Sequence, residues 1–165
     1  MIQRVMVAAV LGVVGLSTIS MAKAGQSYCN SKYEYCVDFP SPMQALPEAE
    51  NGDGRAFRLA GSTADIRVYA STMPLMLDMS AQQYFRASQK EQRANKVPDY
   101  ELLKADRYVF SVREGGQITY VFNRSFKQTS KDGLMYSVYA QYPAAEQKRL
   151  EPIIQQMTRS LRLLP

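Results

Sequence analysis

The pattern from Gln117 to Leu161 constrains the fold more than any other part of the chain. Ile118, Tyr120, Phe122 and Phe126 share one face of the run Ile118–Phe126, the alternation of a half-buried strand. Leu134, Tyr136, Val138, Ala140 and Tyr142 repeat it over Leu134–Tyr142, and Lys131-Asp132-Gly133 between the runs has turn chemistry. The period then changes, with Leu150, Ile153, Ile154, Met157 and Leu161 recurring at helical spacing. A hairpin with one apolar face and a helix with one apolar stripe can bury both by packing together. Pro152 breaks the helical run, because proline lacks the backbone donor and crowds the preceding turn. It predicts either a short turn over 144–150 before a helix with Pro152 near its start, or one bent helix.

Upstream, Tyr33, Tyr35, Val37 and Phe39 alternate in a first strand that Pro40 stops. Residues 41–54 carry Pro42, Pro47 and Asn51-Gly-Asp-Gly54 and read as loop and turn. Arg55–Ala60 and Asp65–Ala70 flank Gly61-Ser62-Thr63 as a hairpin. Residues 71–79 form an apolar connection. Ser80 followed by Gln83 is a capping-box pattern that opens a helix from Ala81 to about Ala94, with a narrow apolar stripe. Tyr100–Lys104 and Tyr108–Arg113 are two further strands with a tight link at Ala105-Asp106, and Glu114-Gly115-Gly116 turns into the run at Ile118. No repeat or second domain is visible. The sum is an α+β domain, an antiparallel sheet of about six to seven strands with two main helices.

The first 24 residues stand outside that domain. Arg4 precedes an uncharged apolar run from Val5 to Leu16, and Ala22-Lys23-Ala24 follows a polar stretch. This is the layout of a secretory signal peptide over residues 1–24, cleaved between Ala24 and Gly25, leaving residues 25–165 as a single α+β domain. The rival, an uncleaved anchor, needs about 20 apolar residues, more than this run supplies. The expected location is therefore the periplasm or the exterior, with no stable membrane insertion after cleavage. The leader also takes Arg4 and Lys23 from a whole-chain net charge of +5, and no basic run of the kind that grips nucleic acid remains.

Cys29 and Cys36 are the only cysteines, and both follow the cleavage site. An even count in an exported domain reads as a disulfide, here one that pins the N-terminal tail to the first strand. The spacing is not that of a Cys-x-x-Cys redox pair.

Several segments together resemble small exported bacterial proteins of the Mog1/PsbP-like fold, an antiparallel sheet flanked by helices. They are Phe39-Pro40, Asn51–Phe57, Ile66–Ser71, Tyr108–Val112, Ile118–Tyr120, Tyr142-Pro143, Pro152 and Arg159-Ser160-Leu161. The resemblance covers most of residues 25–165. It implies a periplasmic or secreted domain with no established activity, and fold alone does not license a function.

The residues argue for binding rather than catalysis. With no histidine, a Ser-His-Asp triad, a Cys-His pair and imidazole metal sites are excluded. No Gly-Lys-Ser/Thr phosphate loop is present, and no cofactor is expected. Glu50-Asn51-Gly52-Asp53-Gly54 is oxygen-rich but lacks the distal glutamate of a calcium loop, so it reads as a turn. The second face of the long hairpin is mixed: Met135, Ser137, Tyr139 and Gln141 on one run, Thr119, Val121, Asn123 and Ser125 on the other. Such a face suits a wet sheet surface or a ligand or partner surface. Met73, Met76 and Met79 form a Met-x-x-Met-x-x-Met run whose thioethers could select Cu(I), although packing as apolar filler is the plainer reading. The expected function is a non-catalytic binding or interaction module for an envelope protein or a small ligand. The alternative is a structural accessory subunit of an envelope complex. A pocket lined by tyrosine and arginine would favour a small ligand, and a flat apolar strip would favour a protein.

Overall fold

The computed structural model describes residues 25–127 and 133–164. Residues 1–24, read above as a signal peptide ending at Ala24, and residues Lys131 and Asp132, read as a turn, lie outside the described residues. Ten strands and three helices follow in chain order. Strands β1 (Gln26–Asn30), β2 (Tyr35–Phe39), β3 (Met43–Glu48), β4 (Gly54–Leu59) and β5 (Asp65–Ser71) lead into helices α1 (Met73–Met76) and α2 (Ala81–Asn95). Strands β6 (Tyr100–Leu103), β7 (Arg107–Glu114), β8 (Gln117–Arg124) and β9 (Met135–Pro143) come next, then α3 (Gln147–Ser160) and β10 (Arg162–Leu163).

The long hairpin sits at the centre, as its alternation requires. β8 pairs antiparallel with β9 from Gln117 opposite Pro143 to Arg124 opposite Tyr136. Around it a seven-stranded antiparallel sheet has the order β3-β4-β5-β9-β8-β7-β6. The face carrying Ile66, Val68, Val138, Ala140, Phe122 and Ile118 is buried beneath α3, whose Leu150, Ile154 and Met157 point inward. A second sheet, β1-β2-β10, closes the same side with Tyr35, Val37 and Phe39. The other face is covered only in part by α2, through Ala81 and Phe85 against Tyr108 and Met135. Ser80 and Gln83 form the expected capping box in both directions. Arg93 near the far end of α2 donates to Glu101 on β6, its Nε at 2.8 Å.

Three local expectations are corrected, and one further strand is added. The first strand begins at Tyr35 rather than Tyr33, because Glu34 takes a left-handed conformation (φ 52°) and turns the chain out of Gln26–Asn30, a strand too short and polar to announce itself. Residues 43–48, read as loop, form β3. Pro47 is tolerated there because β3 is an edge strand, and the register shifts between Ala45 and Glu48. The apolar connection after β5 winds into the single turn of α1. Beyond the terminal helix, Arg162 and Leu163 pair with Cys36 and Tyr35 of β2.

Pro152 leaves α3 one helix, preceded by a 3-10 turn over Ala144–Glu146. Its ring lies on the exposed side, and it withholds only the bond to the Lys148 carbonyl near the helix start. Asn51–Gly54 makes the expected turn, with Gly52 at φ 66° donating to the Ala49 carbonyl at 2.8 Å. Gly54 is fixed by contact: a Cβ there would lie 2.0 Å from the Val68 carbonyl oxygen.

Candidate functional site

Seven strands spaced about 4.8 Å apart make a sheet roughly 29 Å wide, and one helix with side chains covers only about 10–12 Å of it. On the main buried face, α3 lies over β9 and β2. The sheet therefore runs on past the flank of α3 through β8, β7 and β6, and a groove of about 510 Å³ opens there. Ser111, Ile118, Tyr120 and Tyr142 form its floor, Gln147, Glu151, Ile154 and Gln155 its helical wall, and Asp99, Tyr100 and Arg113 its rim.

The inner face of β7 explains why a groove forms instead of more core. It carries Val109, then Ser111, then Arg113, so its apolar character fades toward one end. Tyr100 lies opposite Ser111, with half its surface exposed. Tyr120 also lies opposite Ser111 and is half-buried. Burial pushes Tyr120 and Tyr142 up to about 12. Both phenols therefore stay protonated at neutral pH and can donate as well as accept. Arg113 donates to Oε1 of Gln147 at 2.8 Å, and Nε2 of Gln147 donates to Glu151 at 2.6 Å. This relay sets a guanidinium and a carboxylate on one rim. At the start of the neighbouring strand β6, the Asp99 carboxylate and the Tyr100 hydroxyl make no hydrogen bond among the described residues.

A larger and more open groove, of about 770 Å³, lies on the opposite face beside β4 and β5. It contains the exposed end of the mixed surface expected on the long hairpin. Of that surface, Met135, Ser137 and Asn123 are buried, Ser137 donating to Asn123 at 2.8 Å, while Gln141 is exposed and Tyr139 lines the groove. Arg67 holds Asp65 at 2.8 Å and Tyr139 donates to Gln141 at 3.4 Å, while the buried Nε of Arg55, whose guanidinium lies over the Tyr28 ring, makes no hydrogen bond among the described residues. The smaller groove by α3 is the better candidate, because it is more enclosed and gathers three tyrosines with an arginine on its lining.

Cys29 and Cys36 are disulfide-bonded and face each other across β1 and β2, so the bond ties the N-terminal strand to its neighbour. The methionine run behaves differently from apolar filler. Pro74 is the buried residue of α1, which turns Met73 and Met76 outward, 40% and 75% exposed, with Leu75 and Leu77 about half exposed beside them. Met79 is half-buried before the Ser80 cap. Leu75 leans on Gly133, where an added Cβ would meet it at 2.3 Å. No group of three or more Cys, Asp or Glu residues suited to a metal occurs among the described residues, and no helix among them is long and apolar enough to cross a membrane.

The groove-forming residues lie on or beside five elements, and the sequence reading took Ile118, Tyr120, Tyr142 and Ile154 as apolar-face residues without gathering the set into a site. Its one signal was the passage from Val109 to Ser111 and Arg113 on a face that is otherwise apolar.

This architecture, a seven-stranded antiparallel sheet with two main helices, is the Mog1/PsbP-like fold. The chain is similar to cyanobacterial PsbP (CyanoP) from Synechocystis, with a TM-score of 0.54 and 12% identity over 94% of this chain and 98% of that one. It is also similar to LpqN, involved in cell envelope biogenesis of Mycobacterium tuberculosis, with a TM-score of 0.45 and 9% identity over 88% of each chain. At such identities the first likeness is one of fold. No protein-family model matches the chain, and no curated protein matches it by sequence.

Proposed function

We propose that residues 25–165 act as an extracytoplasmic, non-catalytic binding module that takes a small ligand in the groove between α3 and strands β6–β8. The observation that carries this reading is the groove's lining. Tyr100, Tyr120 and Tyr142 gather there with Arg113, and Asp99 and Tyr100 leave hydrogen-bonding groups to be met by something else. Both residues are exposed, so water meets these groups in the free protein and a ligand would take its place. The disulfide supports the extracytoplasmic part, since such bonds persist where the compartment is oxidising. Native mass spectrometry of protein recovered from the envelope tests the proposal. A small molecule should travel with the chain and be lost when Arg113 and Tyr100 are both replaced by alanine. Equal retention by the double variant would contradict it.

One observation favours a second reading, an accessory subunit of an envelope complex. Met73, Leu75, Met76 and Leu77 are exposed together on the single turn of α1, the kind of apolar strip a protein partner covers. Crosslinking from position 76 in intact cells separates the two, because a groove ligand leaves that turn untouched.

A further inference from the structure

We infer that the ligand of the α3 groove is a neutral sugar of one or two rings, an inference that rests on the groove reading above and names its ligand class. Charge narrows the choice first. The relay Arg113–Gln147–Glu151 joins a cation and an anion from sheet to helix, and Asp99 adds a second carboxylate from beside β7. An anionic ligand would face both carboxylates, and a cationic one would face Arg113. An anion would lose hydration against more negative than positive charge, and a cation would gain only solvent-screened pairs with the exposed carboxylates Asp99 and Glu151, whereas a neutral ligand escapes the cost of desolvating a charge.

The polar groups narrow it further. Tyr100 offers an exposed hydroxyl, Tyr120 is half-buried beside it, and Gln155 offers an amide with both a donor and an acceptor end, while Tyr142 is buried beneath them. Asp99 adds an acceptor and Arg113 adds donors. A lining in which most groups can play either role suits a ligand whose groups can do the same, and hydroxyls are such groups. The surfaces between them are apolar: the rings of Tyr100 and Tyr120 with Ile118 and Ile154. A pyranose presents a band of hydroxyls around its edge and C–H groups on its faces, so its face can lie on a tyrosine ring while its edge meets the rim. Aromatic rings with one polar end serve both needs. The volume, about 510 Å³, lies within the roughly 300–1,000 Å³ range of small-molecule sites.

Amide chemical-shift titration of the isotope-labelled full chain tests this, with maltose and N,N′-diacetylchitobiose as probes. Glucose 6-phosphate and spermidine are the anionic and cationic controls. The sugars are taken to about 10 mM, where a millimolar site is nearly filled. The expected result is saturable shifts at Ser111–Arg113, Ile118–Tyr120 and Gln147–Gln155 with at least one sugar, about tenfold weaker with either control. Tyr100→Ala and Gln155→Ala should each weaken the sugar by about tenfold or more with an unchanged melting temperature. Both residues lie at the surface, so loss of fold would not mimic loss of binding. Saturable groove shifts with a charged control and none with the sugars would overturn the ligand class while leaving the groove as a binding site. No groove shifts with any probe, or sugar shifts elsewhere, would overturn the sugar inference. A co-purified molecule that disappears in the Arg113 and Tyr100 double variant would still uphold the groove in that case.

Discussion

Arg113 on β7 donates to Oε1 of Gln147, the first residue of α3, at 2.8 Å, so one hydrogen bond spans the groove mouth from sheet to helix. The pair is exposed, and exposed polar pairs of this kind contribute about 0.2–1 kcal/mol. Arg113→Ala should therefore leave the denaturation midpoint nearly unchanged while lowering ligand retention. Parallel melts and native mass spectra check both halves. A loss of several degrees would show that the pair holds the fold rather than the ligand.

The disulfide joins directly opposed residues of β1 and β2, near one end of the chain. Cys29→Ser with Cys36→Ser should cost about 2–3 kcal/mol, the loop-entropy value for so short a closure, without unfolding the domain. The core of the seven-stranded sheet does not depend on that bond. Intact-mass analysis of the wild-type protein under denaturing conditions should show no alkylation until reductant is added. Two freely reacting thiols would contradict the pairing.

Met157 is fully buried against the sheet, and Gln155 is exposed on the same helix. Met157→Asp forces an unpaired carboxylate into an apolar site and should cost several kcal/mol, enough to threaten a domain whose whole stability is about 5–15 kcal/mol. Gln155→Asp should fall within about 0.5 kcal/mol of wild type. Similar thermal melts for the two variants would mean that the buried stripe of α3 is misplaced.

The elements legible in the sequence were those whose own periodicity was strong. β8, β9 and α3 declared their faces, and Ser80 with Gln83 declared the start of α2. β1, β3 and β10 were not legible, for a common reason: each is held by pairing with a distant partner. Gln26–Asn30 is mostly polar, Pro47 interrupts β3, and Arg162-Leu163 is two residues long. The candidate groove was illegible for a related reason. Tyr100, Arg113, Tyr120 and Gln155 lie on four elements, and only the strand order β8-β7-β6 beside α3 brings them together. The methionine run misled in the other direction. Its composition suggested filler, but Pro74 takes the buried position of α1 and turns Met73 and Met76 to the surface.

Because Met73 and Met76 are exposed and Met79 half-buried, replacing all three by leucine should move the melting temperature little. In titration of the reduced protein with Cu(I) against a competing chelator, wild type and the triple variant should compete alike. Tight one-to-one binding by the wild type, lost in the variant, would instead assign the α1 turn to copper.

The groove is the centre of the account, and filling it tests that account most directly. Ser111 is a small, half-buried residue on the groove floor, between Tyr100 and Tyr120 in the sheet. Ser111→Phe places a ring in space that is open in the wild type. Native mass spectrometry of wild type and variant recovered from the envelope, with melting temperatures taken alongside, is the deciding measurement. The account predicts that the co-purifying small molecule is lost from the variant while its melting temperature stays within a few degrees of wild type. A variant that keeps both its melting temperature and the bound molecule would contradict it.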